Sequence, residues 1–320
     1  MDAFKSLIGR SPNFEALLRN AQLIAATNAT ILITGETGTG KEIIATAVQK
    51  HSSRADQPFV TLNCAALPES IAESELFGHT KGAFSGALSN QCGRLQAAHR
   101  GTLFLDEVDS LSLALQAKLL RFLESGECQP VGQTRTQTVD VRILAATNTN
   151  LEHKIASGEF RKDLYFRLNV VPLQIPPLRE RCGDIDRLAA HFMADFSQKH
   201  RLEAPQFSKA AMEALRSYAW PGNVRELRNL CERLLILLPG RTLEPSNIPY
   251  EIHARPAKSQ RNSQTGFILP ESGIDLEELE IDLIHQALHR TNGNRSKAAR
   301  LLGMSRDTFL YRIHKYGIPV

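Results

Sequence analysis

The spacing of apolar residues along this chain changes twice, and each change predicts a change of architecture. Between residues 29 and 146, short β-branched runs recur. Ala29-Thr30-Ile31-Leu32-Ile33-Thr34, Phe59-Val60-Thr61-Leu62, Thr102-Leu103-Phe104-Leu105 and Val141-Arg142-Ile143-Leu144-Ala145-Ala146 each read as a strand. Helical spacing separates them. Phe14, Leu17, Leu18, Ala21, Ile24 and Ala25 form one such stripe, and Leu113–Glu124 carries another. Strands alternating with helices predict an α/β fold, a parallel sheet covered on both faces. From Asp184 to Leu238 the pattern is helical throughout, with Ile185, Leu188, Ala189 and Phe192 on one face and Leu227, Leu230, Leu234 and Leu235 on another. The last stretch holds three helical segments, Asp275–Arg290, Arg295–Leu302 and Ser305–Tyr316, broken at Asn292-Gly293-Asn294 and at Gly303.

These shifts set the expected boundaries. Residues 1–171 form the α/β part, and 172–252 a helical subdomain entered through Pro172, Pro176 and Pro177. Residues 253–273, rich in Pro, Ser, Gln, Asn and Gly, read as a flexible linker. Residues 274–320 form a small all-α domain.

Composition narrows the class. The chain has 320 residues, 42% of them hydrophobic and 22% charged, as in an ordinary soluble globular protein. No apolar run approaches the ~20 residues of a membrane span. Five cysteines, Cys64, Cys92, Cys128, Cys182 and Cys231, lie far apart, which predicts reduced thiols in a cytoplasmic protein. The net charge of +4 is small, but seven Lys/Arg against the single Asp307 follow from Arg290 onward. That local excess suits nucleic acid.

The chemistry centres on Gly35-Glu36-Thr37-Gly38-Thr39-Gly40-Lys41, which follows the first strand and opens a helix. Strand, glycine-rich loop and helix with a Lys at its mouth form a phosphate-binding P-loop. Glycines let successive N–H groups turn toward one anion, and the helix N-terminus adds positive potential. Glu42 stands where a Ser or Thr usually follows the Lys, so a hydroxyl for Mg²⁺ must come from elsewhere, with Thr39 a candidate. Asp106-Glu107 ends the third strand in the manner of a Walker B pair. Asp106 would hold Mg²⁺ and Glu107 would polarise the attacking water. Asn63, Thr147 and Asn148 also end strands; each suits a turn, or a hydrogen bond to water, Glu107 or the γ-phosphate. Arg161 and Arg167 flank an apolar segment, where surface ion pairs and charge stabilisation in phosphoryl transfer both fit. Arg225 sits in the first turn of a helix after Trp220-Pro221-Gly222-Asn223, against the helix dipole, so an anion should compensate: bound phosphate, Glu226 or another carboxylate.

Two further segments stand out. Gly82-Ala83-Phe84-Ser85-Gly86-Ala87 places one large apolar side chain between glycines. It reads either as a mobile loop presenting Phe84 or as a hairpin whose Phe folds back into the core. The C-terminal segment has helix-turn-helix proportions. Ser305 can cap the last helix, and Arg306, Asp307, Thr308, Tyr311 and Arg312 are expected to face out, toward a DNA major groove. A small oligomerisation domain is the alternative.

Taken together, Gly35–Glu42, Glu75-Leu76-Phe77-Gly78, Gly82–Ala87, Gly101–Glu107, Phe160–Leu168 and Trp220–Leu227 resemble the AAA+ domain of sigma-54-dependent transcriptional activators, and residues 275–320 resemble the Fis-type helix-turn-helix of the same family. The resemblance implies a P-loop ATPase with a parallel sheet and helical lid, then a DNA-binding domain. It implies that Gly35, Glu36, Thr37, Gly38, Thr39, Gly40, Lys41 and Glu42 hold ATP with Mg²⁺, with Thr147, Asn148 and Arg225 as sensors. By the same resemblance Asn63 restrains Glu107, and Arg161 and Arg167 reach into a neighbouring subunit's site. Gly82, Phe84, Ser85 and Gly86 contact the sigma factor, although the family usually has Thr where Ser85 stands. Tyr311 sits where many relatives have Arg. A hexameric ring, dimeric DNA-binding domains on double-stranded enhancer-like DNA, and sigma-54 RNA polymerase holoenzyme as partner complete the expectation. The P-loop starts at Gly35, so no N-terminal sensory domain is expected, and control would fall to a separate regulatory protein or to expression level. The rival reading is a DNA-binding repressor or scaffold whose ATP site controls only oligomerisation.

Overall fold

The computed structural model describes residues 4, 7–84, 86–253, 275–291 and 293–318. Two compact units divide the chain near residue 255.

The first unit begins with α1 (Pro12–Ala25), β1 (Ile31–Thr34), α2 (Lys41–Lys50) and β2 (Phe59–Asn63). Next come α3 (Glu69–Phe77), the short antiparallel pair β3 (Gly78–His79) and β4 (Gln91–Cys92), α4 (Arg94–Ala97) and β5 (Thr102–Asp106). After α5 (Leu113–Ser125), a second short pair, β6 (Glu127–Cys128) and β7 (Gln137–Thr138), precedes β8 (Arg142–Thr147). Helices α6 (Leu151–Ala156) and α7 (Lys162–Leu168) then lead into β9 (Val171–Gln174).

Five strands form one parallel sheet in the order β2-β5-β8-β1-β9. Its side chains alternate between two cores, because successive residues of a strand face opposite sides. Leu32, Leu103, Leu105, Ile143 and Ala145 join α3, α5 and α7 on one face. Ile31, Ile33, Phe104, Leu144 and Ala146 join α1 and α2 on the other. Burial on both faces explains why these strands read as continuous apolar runs. Arg142 is the exception. Its buried guanidinium donates to the carbonyls of Ala25, Ile24 and Ala29, and satisfies the C-terminal end of α1. Burial pushes its pKa down to about 10.

Pro172, expected in the linker to the helical subdomain, instead lies in β9 opposite Leu32. A proline fits there because β9 is an edge strand, with one side free of ladder bonds. The chain leaves the sheet after Gln174, three residues beyond the expected boundary at 171.

Helices α8 (Cys182–His200), α9 (Lys209–Ser217), α10 (Asn223–Leu237) and α11 (Tyr250–His253) pack around Trp220, Phe196 and Leu227, with the two-residue parallel pair β10 (Gln206–Phe207) and β11 (Thr242–Leu243) at their side. Asp184, fully buried, ties this bundle to the N-terminal segment. It accepts from the Arg10 and Ser11 N–H groups (2.6 and 3.0 Å), the Ser11 hydroxyl (2.9 Å) and Arg181 Nε (3.0 Å).

In the second unit, α12 (Leu276–Arg290), α13 (Arg295–Leu301) and α14 (Arg306–Lys315) close over Ile284, Ala287, Ala298, Phe309 and Ile313. Asp275, Asn294 and Ser305 cap the three helices through side-chain oxygens. Most of the expected linker, residues 254–273, lies outside the described residues, as do Ser85 and Asn292. Among the described residues, no helix is long and apolar enough to cross a membrane.

Candidate functional site

The C-terminal ends of β5, β8 and β1 bring the expected chemistry to one crevice, as open parallel sheets do. The P-loop turns through Gly38 and Gly40, both at positive φ (81° and 99°). A side chain at Gly38 would also meet the Gly222 carbonyl oxygen at 2.2 Å, so only glycine lets the lid approach this closely. Lys41 opens α2 and is buried; its ammonium donates to the carbonyls of Gly35 (2.8 Å) and Glu36 (3.4 Å). Burial lowers its pKa, and the nearby carboxylates of Asp106 and Glu107 oppose that shift. The Thr39 hydroxyl donates to the Glu36 carbonyl at 2.8 Å, so it serves the loop itself. Glu42 is exposed in the first turn of α2, where a carboxylate complements the helix dipole.

Asp106 ends β5 and accepts from the Glu107 N–H at 3.1 Å. Glu107 holds a left-handed backbone (φ 53°, ψ 46°). A non-glycine residue in that region is strained, and such strain concentrates at functional sites. Two half-buried carboxylates beside a P-loop lysine make an all-oxygen donor set. That set fits Mg²⁺, which takes one or two carboxylates together with substrate phosphates.

Asn148 reaches the P-loop, its amide donating to Thr37 Oγ1 at 2.9 Å. Thr147 does not. Its hydroxyl is fully buried and donates to Asp109 Oδ1 at 2.6 Å, so the expected pair of sensors divides into one residue at the P-loop and one beneath it. Asp109 was missed from sequence, although it lies only three residues beyond Asp106. Asn63 pairs with Asp106 across the sheet, and its side chain caps the turn that follows β2 through Ala65 and Ala66. Among the described residues, no hydrogen bond joins it to Glu107.

Glu36 faces the lid. Its carboxylate takes both Arg179 Nη atoms (2.7 and 2.9 Å) and Asn223 Nδ2 (3.1 Å), which hold its pKa below the usual range. Asn223 is fully buried at φ 51°, also donates to the Thr37 carbonyl at 3.0 Å and accepts from the Leu178 N–H at 2.8 Å. Neither Arg179 nor Asn223 was singled out in the sequence. Arg225 lies alongside, its N–H donating to the Gly38 carbonyl at 3.2 Å. Glu226 does not compensate it. That carboxylate accepts from the Gly222 N–H and the Tyr218 hydroxyl, and among the described residues no carboxylate pairs with Arg225.

Arg161, the N-cap of α7, and Arg167, in its last turn, are both exposed. Arg161 pairs with Asp163 at 2.7 Å, and Arg167 stands 3.6 Å from Glu124, with Phe166 exposed between them. Phe84 is 40% exposed, its ring edge-on to His79 at 5.0 Å, so it is neither free nor folded into the core. Gly82 and Gly86 flank it at positive φ (82° and 107°) with open space around both. Val131 of the β6–β7 hairpin bonds to Gly78 and Thr80, which braces the base of this loop.

In the second unit, Ser305 accepts from the Thr308 N–H (3.1 Å) and bonds its hydroxyl (2.7 Å), while Arg306 and Tyr311 are exposed. Arg312 faces out only in part, its side chain 37% exposed. It lies between the buried Phe309 and Ile313 in sequence, and turns toward α12, where it pairs with Glu280; the Tyr316 hydroxyl donates to the same carboxylate at 2.7 Å. Cys64, Cys92, Cys128 and Cys231 are free thiols, and burial pushes Cys64 and Cys231 up to about 12.

Comparison with known proteins agrees with this geometry. Residues 7–174 match the sigma-54 interaction domain, 179–265 the AAA+ ATPase lid domain and 275–316 the bacterial regulatory protein, Fis family. The transcriptional regulatory protein ZraR of Salmonella typhimurium is 45% identical over 309 residues, covering 97% of this chain and 68% of that protein. The nitrogen fixation protein AnfA of Azotobacter vinelandii is 43% identical over 317 residues, covering 98% and 58%. NtrX from Brucella abortus, solved with ADP and with ATP, superposes with TM-scores of 0.73 and 0.72 at 35% and 36% identity; each match covers 98% of this chain and 69% of that one. The chain therefore belongs to the sigma-54-dependent transcriptional activators, ATPases that carry a Fis-type DNA-binding domain.

Proposed function

We propose that ATP turnover in the Lys41–Glu107 crevice drives the Phe84 hairpin against sigma-54 in the RNA polymerase holoenzyme, and so opens promoters from enhancer-like DNA sites held by α14. The observation that carries this reading is Glu107, a carboxylate kept on a left-handed backbone beside the buried Lys41 ammonium.

In this reading Lys41 and the N–H groups from Gly35 to Gly40 hold the phosphates. Asp106 holds Mg²⁺, which neutralises phosphate charge when bound. Glu107 takes the proton of the attacking water, and Asn148 and Arg225 address the γ-phosphate from two sides. Arg161 and Arg167, exposed at the two ends of α7, complete the site of a neighbouring subunit in a ring, a hexamer by family resemblance. Arg306, Thr308 and Tyr311 read DNA in a dimer of C-terminal domains. The protein acts in the cytoplasm, and a separate regulatory protein is one route of control.

The test is promoter opening in vitro with sigma-54 holoenzyme, a promoter template carrying upstream sites, and ATP. Open complexes should form with ATP and fail with Glu107→Gln. Hydrolysis by the wild-type chain without any promoter opening would replace this reading with the scaffold.

A further inference from the structure

We infer that Asp109 is a positioning residue for ATP hydrolysis, keeping Glu107 and Asn148 in register across the end of the sheet. This rests on the reading that Glu107 and Asn148 act on ATP.

Asp109 is the middle residue of the single-turn helix, residues 108–110, that the strained Glu107 precedes. The Ser110 N–H bonds back to the Glu107 carbonyl at 2.9 Å, so the two acids share one tight turn. The Asp109 side chain is 5% exposed and fully engaged. One oxygen takes the Thr147 hydroxyl at 2.6 Å; the other takes Lys154 Nζ at 3.0 Å, and Lys154 also holds the Asp109 carbonyl at 3.0 Å. Burial works to raise its pKa, but these hydrogen bonds outweigh that and keep it an anion. Thr147 is the last residue of β8, and Asn148, the next, touches the P-loop at Thr37. A continuous chain of bonds therefore runs from the Glu107 turn through Asp109 and Thr147 to Asn148 and the phosphate loop.

The Asp109 oxygens are taken by Thr147 and Lys154, and the Thr147 hydroxyl by Asp109 and Thr149, so neither side chain is free to address a phosphate. Their effect on turnover must come from where they hold Glu107 and Asn148. Small misplacement of reacting groups costs up to about a hundredfold in rate, whereas ATP binding depends on the P-loop, which they do not touch.

The experiment uses the full chain and compares ATPase kcat, KM for ATP and thermal midpoint. Asp109→Ala and Thr147→Val should each lower kcat by about tenfold or more within that range, with KM nearly unchanged. Thr147→Ser keeps the hydroxyl and should retain near-native kcat. The Asp109→Ala/Thr147→Val double variant should be little worse than either single variant, because one link is cut twice. Asp109→Asn, which keeps an oxygen for Thr147, gives an intermediate kcat and serves if Asp109→Ala does not fold. Unchanged kcat in Asp109→Ala or Asp109→Asn, additive losses in the double variant, or no recovery in Thr147→Ser overturns the inference. Glu107→Gln is the control: if it still turns over ATP, the assignment of the site itself fails.

Discussion

Lys41 and Glu107 stand in one crevice but serve different states of the reaction. In the proposed reading Lys41 holds phosphate in the ground state as well as in the transition state, while Glu107 acts on water only as bonds change. Lys41→Ala should therefore abolish ATP binding. Glu107→Gln should bind ATP with near-native affinity and fail to hydrolyse it. Equal loss of binding in both, measured with a fluorescent ATP analogue, would falsify the division of roles. Asn223 makes a second residue-scale case. It spends a left-handed backbone on three hydrogen bonds, two that join the lid to Glu36 and Thr37 and one to Leu178 within the lid. Asn223→Ala loses the bonds and keeps the strain, so unfolding free energy should drop by on the order of 2 kcal/mol. Asn223→Gly relieves the strain and should recover part of that in denaturant melts. Identical stability in the two variants would mean the backbone there is not strained.

At the scale of elements, the anchor between the N-terminal segment and α8 is a buried ion pair. Burial alone would raise the Asp184 pKa, but hydrogen bonds from Arg10, Ser11 and Arg181 bring it below the usual carboxylate value. A carboxylate depressed in the folded state adds stability above its unfolded pKa of about 4 and loses it as pH falls through the folded pKa. Asp184→Asn leaves Arg181 buried without its counter-charge and should cost about 3–5 kcal/mol at neutral pH. Its thermal midpoint should also fall less steeply than that of the wild type below pH 4. Parallel acid limbs for the two proteins would remove Asp184 as their source. The Phe84 hairpin is the opposite kind of element, held at its base by Val131 and open at its tip. Phe84→Ala should leave ATPase activity and DNA binding intact while abolishing co-migration with sigma-54 in the presence of a transition-state analogue. Normal promoter opening by that variant would make the hairpin a structural turn.

For the whole molecule, the placement of Arg161 and Arg167 has a consequence for assembly. Both are exposed, Arg161 at the N-cap of α7 and Arg167 in its last turn next to Phe166, 61% exposed, and their partners, Asp163 and Glu124, are themselves solvent-accessible. Exposed ion pairs of this kind contribute little stability and exchange partners readily. If these arginines complete a neighbour's site, specific ATPase activity should climb steeply with protein concentration. Mixing Arg167→Ala with Lys41→Ala subunits should restore part of the activity that each lacks alone, because intact half-sites meet in mixed rings. Activity independent of concentration, with no rescue, would mean that each chain carries a complete site.

The sequence by itself determined the elements and the central chemistry. Continuous β-branched runs specify strands buried on both faces, and the glycine spacing around Lys41 and the acids after Leu105 need no partner to be recognised. Helix caps at Asp275 and Ser305 are equally local, since each satisfies N–H groups two or three residues away. What only the tertiary structure decided are the pairings between residues distant in sequence. Pro172 joined the sheet because the edge of that sheet spares it a partner. Arg312 turned to Glu280, 32 residues away, and Thr147 turned to Asp109, 38 residues away. Glu36, inside the P-loop, was taken by Arg179 and Asn223 of the lid. A polar side chain goes where burial leaves it a hydrogen-bond partner, and that partner is fixed by how the elements pack.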